Sequence, residues 1–188
     1  MTTGYELMAA ITNLVIFITS VIILFRIKNK TWNLFYKFIS IDAFLGVIIH
    51  GIEMSKTIND LLWVILLMLF TITFNTLLYI FVTQKLKKIT ILSILISIIL
   101  IIELLLDWNY IITFIIYAII IVLISIYFMF KNNYRNKFYF LIGIIIQFIG
   151  IIPTFLKIGI GNFNHNCITH TFTLITIIIF YIGIKKTD

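Results

Sequence analysis

Long apolar segments separated by short polar gaps form the main pattern of this chain. Each segment is close to the ~20 residues that cross about 30 Å of hydrocarbon at about 1.5 Å per residue. Because apolar and polar positions do not alternate, the pattern favours helices over barrel strands. It predicts an all-α bundle of seven transmembrane helices at 7–25, 32–50, 61–84, 89–106, 108–130, 138–155 and 166–184.

The basic residues predict the orientation of these helices. Of the 14 Lys and Arg residues, all but Lys56 and Lys157 fall at the C-terminus or near the gaps after the first, third and fifth segments. Basic residues concentrate on the cytoplasmic side of a membrane. We therefore expect a multi-pass membrane protein with its N-terminus outside and its C-terminus in the cytoplasm. Since Glu6 is the first charge, no basic region precedes the first segment, which we expect to remain a spanning helix rather than a cleaved signal peptide.

Composition excludes other classes of protein. The chain of 188 residues is 62% hydrophobic and 11% charged, which is more apolar surface than a soluble domain of this length can bury. The net charge of +7 is explained by membrane orientation, so no nucleic-acid partner is expected. Trp32, Trp63 and Trp108 lie near predicted helix ends and predict an aromatic belt at the membrane interface.

Three histidines and an acid form the candidate site. His50 ends the second segment, His165 and His170 open the seventh, and the predicted topology places all three in the outer leaflet. Ionisable side chains at membrane depth are costly and mark functional sites. Three His ligands with a water form a catalytic zinc arrangement, so we predict zinc as cofactor, with Asp60 orienting that water or taking its proton. The alternative is that these imidazoles lie among the lipid headgroups and bind only water.

The spacing of the last two histidines predicts where the seventh helix begins. Residues five apart differ by about 140° around a helix, so His165 and His170 cannot both face one ion from a regular helix. The Asn-rich run 162–166 favours a loop or an N-cap at His165. We therefore expect this helix to begin at or after Asn166.

A second set of polar residues lies deeper in the membrane. Asp42 is eight residues before His50, about 12 Å deeper, and is expected to face the bundle interior. With Asn75 and Gln147 it forms a candidate buried polar path. The alternative for the two amides is that they only hydrogen-bond neighbouring helices.

The chain resembles a known family at these residues. The stretch 45–51 with His50, then Asp60, then the stretch 164–170 resembles the CREST superfamily, which includes the alkaline ceramidases and the progestin-and-adipoQ receptors. The resemblance implies a seven-helix fold, zinc bound by one His of helix two and two of helix seven, an Asp on helix three, and hydrolysis of lipid amides such as ceramide. It therefore implies a membrane lipid as substrate. The chain looks similar to small, Ile-rich bacterial members, which implies that it lies in a bacterial cell (inner) membrane.

Two positions depart from the family pattern. Gly46 stands where the family has a Ser, and Asn166 stands where it has the first His of helix seven. An amide is a poor zinc ligand beside imidazole. The resemblance therefore leaves open a divergent hydrolase that uses His165 and a relative that kept the fold without the metal.

The sequence is consistent with three alternative hypotheses of function. The first is a zinc-dependent membrane hydrolase of a lipid amide or ester. The second is a non-enzymatic receptor or small-solute transporter, for which Asp42 matters more than His50. The third is a structural bundle in which the polar residues only direct packing.

Overall fold

The residues that the structure describes form seven α-helices. The computed structural model describes residues 6–82, 87–107, 111–161 and 163–186. The helices are α1 Leu7–Leu24, α2 Lys30–Gly51, α3 Lys56–Phe81, α4 Lys87–Leu106, α5 Ile111–Lys131, α6 Lys137–Leu156 and α7 His165–Lys185. Six of them are long and apolar enough to span a membrane, and α5 contributes a shorter apolar stretch, Ile115–Lys131. The all-α, multi-pass fold predicted from the sequence is confirmed.

Helices α2 and α3 each begin earlier than the apolar pattern predicts, because a polar side chain caps the first turn. The Asn29 side chain accepts hydrogen bonds from the backbone N–H groups of Thr31 and Trp32, so α2 begins at Lys30 instead of 32. Ser55 caps α3, which begins at residue 56 instead of 61. A polar first turn belongs to the helix when a side chain satisfies its free N–H groups. The predicted starts were therefore wrong because hydropathy locates the apolar surface and not the cap.

Two predicted boundaries fall partly outside the described residues. Helix α3 ends at Phe81, before the predicted limit at residue 84, and residues 83–86 are not described. Helix α5 begins at Ile111, whereas Trp108, the predicted start, lies outside the described residues.

Neighbouring helices pair in a way that brings three helix ends together. Helix α1 packs along α2, α6 packs along α7, and α7 also packs against α1. Helix α3 contacts α2, α4 and α5. As a result, the start of α1, the end of α2 and the start of α7 meet at one end of the bundle, which we call the histidine end. The opposite end, where α2 and α4 begin, is the basic end.

An aromatic cluster fills the core near the basic end. Trp32 is only 1% exposed and stacks on Phe140 at 4.9 Å between ring centroids. Its indole N–H donates to the hydroxyl of Tyr134 at 3.0 Å, and the rings of Phe81 and Phe180 pack edge-on against it. The prediction that Trp32 belongs to a lipid-facing belt is therefore wrong, because α2 directs this side chain into the bundle.

We expect the histidine end to face outside and the basic end to face the cytoplasm. Glu53 and Lys28 are exposed residues in the loops that flank α2. In a Cys167→Ala background, Glu53→Cys should react with a membrane-impermeant thiol reagent in right-side-out vesicles. Lys28→Cys should react only after permeabilisation, since α2 separates the two positions. Labelling in the reverse order would contradict the predicted orientation.

Close contact between α6 and α7 depends on glycine at residue 150. A Cβ atom at this position would lie 2.2 Å from Cβ of Phe172. Gly150→Ala should lower the free energy of unfolding by about 1–3 kcal/mol, because overpacking forces the helices apart. Thermal unfolding in detergent measures the change. The matched control is Gly51→Ala, where the new Cβ would lie 3.3 Å from Cβ of Ala10, and an equal loss there would argue against a specific α6–α7 effect.

Candidate functional site at the histidine end

The histidine end places two of the three histidines side by side. The ring centroids of His50, on α2, and His170, on α7, are 5.5 Å apart. The ring of Trp63, on α3, packs edge-on against His50 at 5.8 Å. The backbone N–H of Glu6 donates to the carbonyl of His50 at 2.9 Å and fixes the start of α1 to the end of α2. Four helices therefore contribute to one polar cluster.

Glu6 is the acid that contacts His50. Its Oε2 lies 3.2 Å from Nδ1 of His50 and also accepts a hydrogen bond from the side-chain amide of Asn166 at 2.8 Å. A carboxylate on Nδ1 fixes the imidazole tautomer with its lone pair on Nε2. No hydrogen bond to a described residue uses that Nε2. No role was predicted for Glu6 from the sequence, where its only signal is that of a lone acid directly before an apolar segment.

His170 is held by α1 at both ring nitrogens. Thr12 donates its hydroxyl proton to the carbonyl of Ala9 at 2.9 Å, so its oxygen accepts from Nδ1 of His170 at 3.0 Å. Nε2 then accepts from the side-chain amide of Asn13 at 3.4 Å. This assignment follows from the hydrogen-bond network, and it makes His170 a neutral imidazole with neither nitrogen free.

Helix α7 begins one residue earlier than expected. Asn164 is its N-cap and accepts from the backbone N–H of Cys167 at 3.0 Å, so His165 is the first helical residue. The prediction of a loop or N-cap at His165 is corrected by this cap. His165 and His170 therefore lie on one regular helix and point about 140° apart. His165 is half-buried.

The residues present do not fit a three-ligand zinc site in this arrangement. The described part of the chain contains no group of three His, Cys, Asp or Glu side chains placed to hold a metal ion. Both nitrogens of His170 are used, and Asn166 turns its N–H group towards Glu6. The zinc roles predicted for His50, His165 and His170 therefore gain no support from this geometry.

Two side chains near the start of α1 contact the positions at which the chain departs from the CREST pattern. A Cβ atom at Gly46 would lie 2.7 Å from Nδ2 of Asn13, so the Asn13 amide occupies the space that a Ser side chain would take. Glu6 similarly partners the amide of Asn166. Both positions therefore contact polar side chains in the N-terminal part of the chain, Glu6 just before α1 and Asn13 within it.

Two hydrogen-bond donors on α3 lie beside this cluster. Asn59 is 3% exposed, and its Nδ2 has no hydrogen-bond partner among the described residues. Nε1 of Trp63, one turn later on the same face of α3, is also a buried atom without a hydrogen-bond partner among the described residues. Buried donors without partners are costly unless a ligand or water accepts from them. Asp60, the predicted catalytic acid, is half-buried beside Asn59, and its carboxylate forms no hydrogen bond or ion pair with a described residue.

The three deeper polar residues belong to different contacts. Asp42 is 5% exposed, and its Oδ2 accepts from the hydroxyl of Thr73 at 3.1 Å. Asn75 donates to the hydroxyl of Tyr117 at 3.1 Å and so ties α3 to α5. Gln147 is half-buried on α6. Hydrogen bonds between described residues do not join these three side chains into one path.

The fold and this cluster define a multi-pass helical membrane protein with a hydrogen-bonded carboxylate–imidazole site at one end. The family model described as "Family of unknown function (DUF6962)" matches residues 8–188, and the chain belongs to this family. Comparison with the curated proteins and with the solved structures found no match. The resemblance to the CREST superfamily stays a prediction.

We expect Asn13 and Gly46 to be energetically coupled. Gly46→Ala should lower the thermal stability in detergent, because the new Cβ collides with the Asn13 amide. Asn13→Ala removes that amide, so Gly46→Ala should cost about 0.5–3 kcal/mol less in the Asn13→Ala background. A double-mutant cycle measures this difference. Additive losses would contradict the proposed space-filling role of Asn13.

Proposed function

We propose that this protein is a membrane hydrolase of lipid esters or amides in which His50, oriented by Glu6, acts as a general base without a metal ion. The single observation that carries the proposal is the contact between Oε2 of Glu6 and Nδ1 of His50 at 3.2 Å, which leaves the basic Nε2 without a described partner. A carboxylate-oriented imidazole of this kind serves as the base in many hydrolases.

The first step is the attack of water on the lipid carbonyl. Nε2 of His50 takes a proton from the water as its oxygen bonds to the carbonyl carbon. The resulting imidazolium is stabilised by the Glu6 carboxylate on Nδ1. The imidazolium then gives its Nε2 proton to the leaving oxygen or nitrogen, and the bond from the carbonyl carbon to that atom breaks. The products are a carboxylic acid and an alcohol or amine.

The unpartnered donors of α3 suit the charge that develops on the carbonyl oxygen. Trp63, whose ring packs against His50, offers its indole N–H, and Asn59 offers its amide one turn earlier. Preorganised donors of this kind stabilise an oxyanion in a site with little water. His50 lies in the last turn of α2, near the level of lipid headgroups, where the ester and amide carbonyls of lipids are found.

The receptor or transporter alternative depends mainly on Asp42. This carboxyl lies at membrane depth, and its Oδ1 has no hydrogen-bond partner among the described residues. An intramembrane acid of this kind is typical of ion or solute pathways. The alternative predicts that Asp42→Asn impairs function more than His50→Gln does, whereas the hydrolase proposal predicts the reverse.

The test measures acyl release by the purified protein from a fluorescent ceramide and from a fluorescent diacyl phospholipid. We expect one of the two to be hydrolysed, with kcat lowered about 10²–10⁴-fold by His50→Gln and by Glu6→Gln. The matched control is Glu53→Gln, which removes an exposed acid at the same end of the bundle. Thermal unfolding verifies that each variant is folded.

Two further measurements separate the metal-free reaction from the sequence-based expectation. Activity should survive a strong zinc chelator, and Glu6→Gln should impair it more than Asp60→Asn does. Activity that is lost on chelation and restored by zinc would contradict the proposal, as would full activity in His50→Gln. Failure to hydrolyse either lipid would also contradict it.

A further inference from the structure

A groove runs along α3 between the first turns of α2 and most of α4. Its volume is about 610 Å³. Its apolar walls include Leu34, Met68, Ile72 and Ile98, each between 41% and 48% exposed, so the groove opens towards the surrounding hydrocarbon. Along α3 the groove extends from residue 68 to residue 79, about 16 Å, which is close to the thickness of one hydrocarbon leaflet.

Two buried polar atoms in this groove have no hydrogen-bond partner among the described residues. Thr90 is 5% exposed and its Oγ1 is unpartnered, and the same is true of Oδ1 of Asn75, which is 4% exposed. Other hydroxyls of the lining are satisfied within their own helices: Thr76 donates to the carbonyl of Ile72, and Ser97 to that of Ile94. Both residues line the groove, so a rotation of the Thr90 side chain would bring its unpartnered hydroxyl to an occupant at this level.

The mouth of the groove at the basic end carries positive charge. Lys30 lines it, and Lys87 donates from Nζ to the hydroxyl of Tyr79, another lining residue, at 2.5 Å. Among the described residues, those that line the groove include no acid. Lys87 precedes Thr90 by one turn of α4, so the unpartnered hydroxyl lies about 4.5 Å deeper than the cation.

We propose that this groove binds one anionic phospholipid from the leaflet at the basic end. The lipid phosphate pairs with Lys30 and Lys87, as expected where basic pockets between helices meet acidic lipids. An ester carbonyl, which lies deeper in the leaflet than the phosphate of the same lipid, accepts a hydrogen bond from the Thr90 hydroxyl. One acyl chain then lies along α3 between Leu34 and Ile98. The site is remote from the histidine end, and the proposal does not depend on the hydrolase reaction.

The experiment is native mass spectrometry of the purified full-length protein in detergent. Phosphatidylglycerol and phosphatidylcholine with identical acyl chains are added in equal amounts. We expect one phosphatidylglycerol per chain, preferred about tenfold over phosphatidylcholine. Lys30→Gln/Lys87→Gln should abolish most of this preference. The matched control is Lys131→Gln/Lys185→Gln, which removes the same charge at the basic end but outside the groove.

Two more variants test the position of the lipid within the groove. Thr90→Val keeps the shape of the side chain and removes the hydroxyl, and should weaken phosphatidylglycerol binding about three- to tenfold. Ile94→Trp should fill the groove and prevent binding of both lipids, while thermal unfolding shows that the variant remains folded. Equal binding of the two lipids, an equal loss in the control pair, or unchanged binding to Ile94→Trp would each overturn the proposal.

Discussion

Polar groups in this chain must find their partners within the protein, because the apolar surroundings of a membrane offer none. Many hydroxyls meet this constraint locally: Thr71 donates to the carbonyl of Leu67, and Ser125 to that of Ile121. Other side chains meet it across helices, as when Tyr36 of α2 donates to the carbonyl of Ile177 on α7 at 2.5 Å. These bonds join helices whose facing surfaces are otherwise apolar. A buried polar atom left without a described partner is therefore costly unless water or a ligand satisfies it.

The same constraint explains the chemistry of the histidine end. Imidazoles at this depth need partners, and α1 supplies them through Glu6, Thr12 and Asn13. His170 is saturated by two neutral hydrogen bonds, whereas His50 receives a carboxylate on one nitrogen only. The two histidines are therefore not equivalent. A shared metal would need a free nitrogen from each, but a general base needs only the one that His50 retains.

The two ends of the bundle differ in their chemistry. Aromatic packing around Trp32 closes the core near the basic end, and the cations there lie on the periphery. The cluster of Glu6 and the two neighbouring histidines lies instead at the histidine end, where cations are few. This asymmetry underlies the two proposals, hydrolysis at one end and binding of an anionic lipid at the other. The groove along α3 fits this division, because its cations and its unpartnered hydroxyl lie on the basic side of the molecule.

Local sequence determined the number of helices and their approximate limits. The reason is that the backbone N–H and C=O groups of each apolar segment must hydrogen-bond to one another inside a membrane. It also indicated that His50 and His170 share one end. Local sequence was less reliable where a cap mattered, as at Lys30, Lys56 and His165, since one polar side chain moved each helix start.

Tertiary structure alone decided the partners of the site. Glu6 reaches Asn166 across 160 residues, Thr12 reaches His170 across 158, and Asn13 occupies the space above Gly46. It also directed Trp32 into the core rather than towards lipid. Periodicity shows which residues share a face of one helix, but the hydrogen bonds that define this site depend on how α1 packs against α2 and α7.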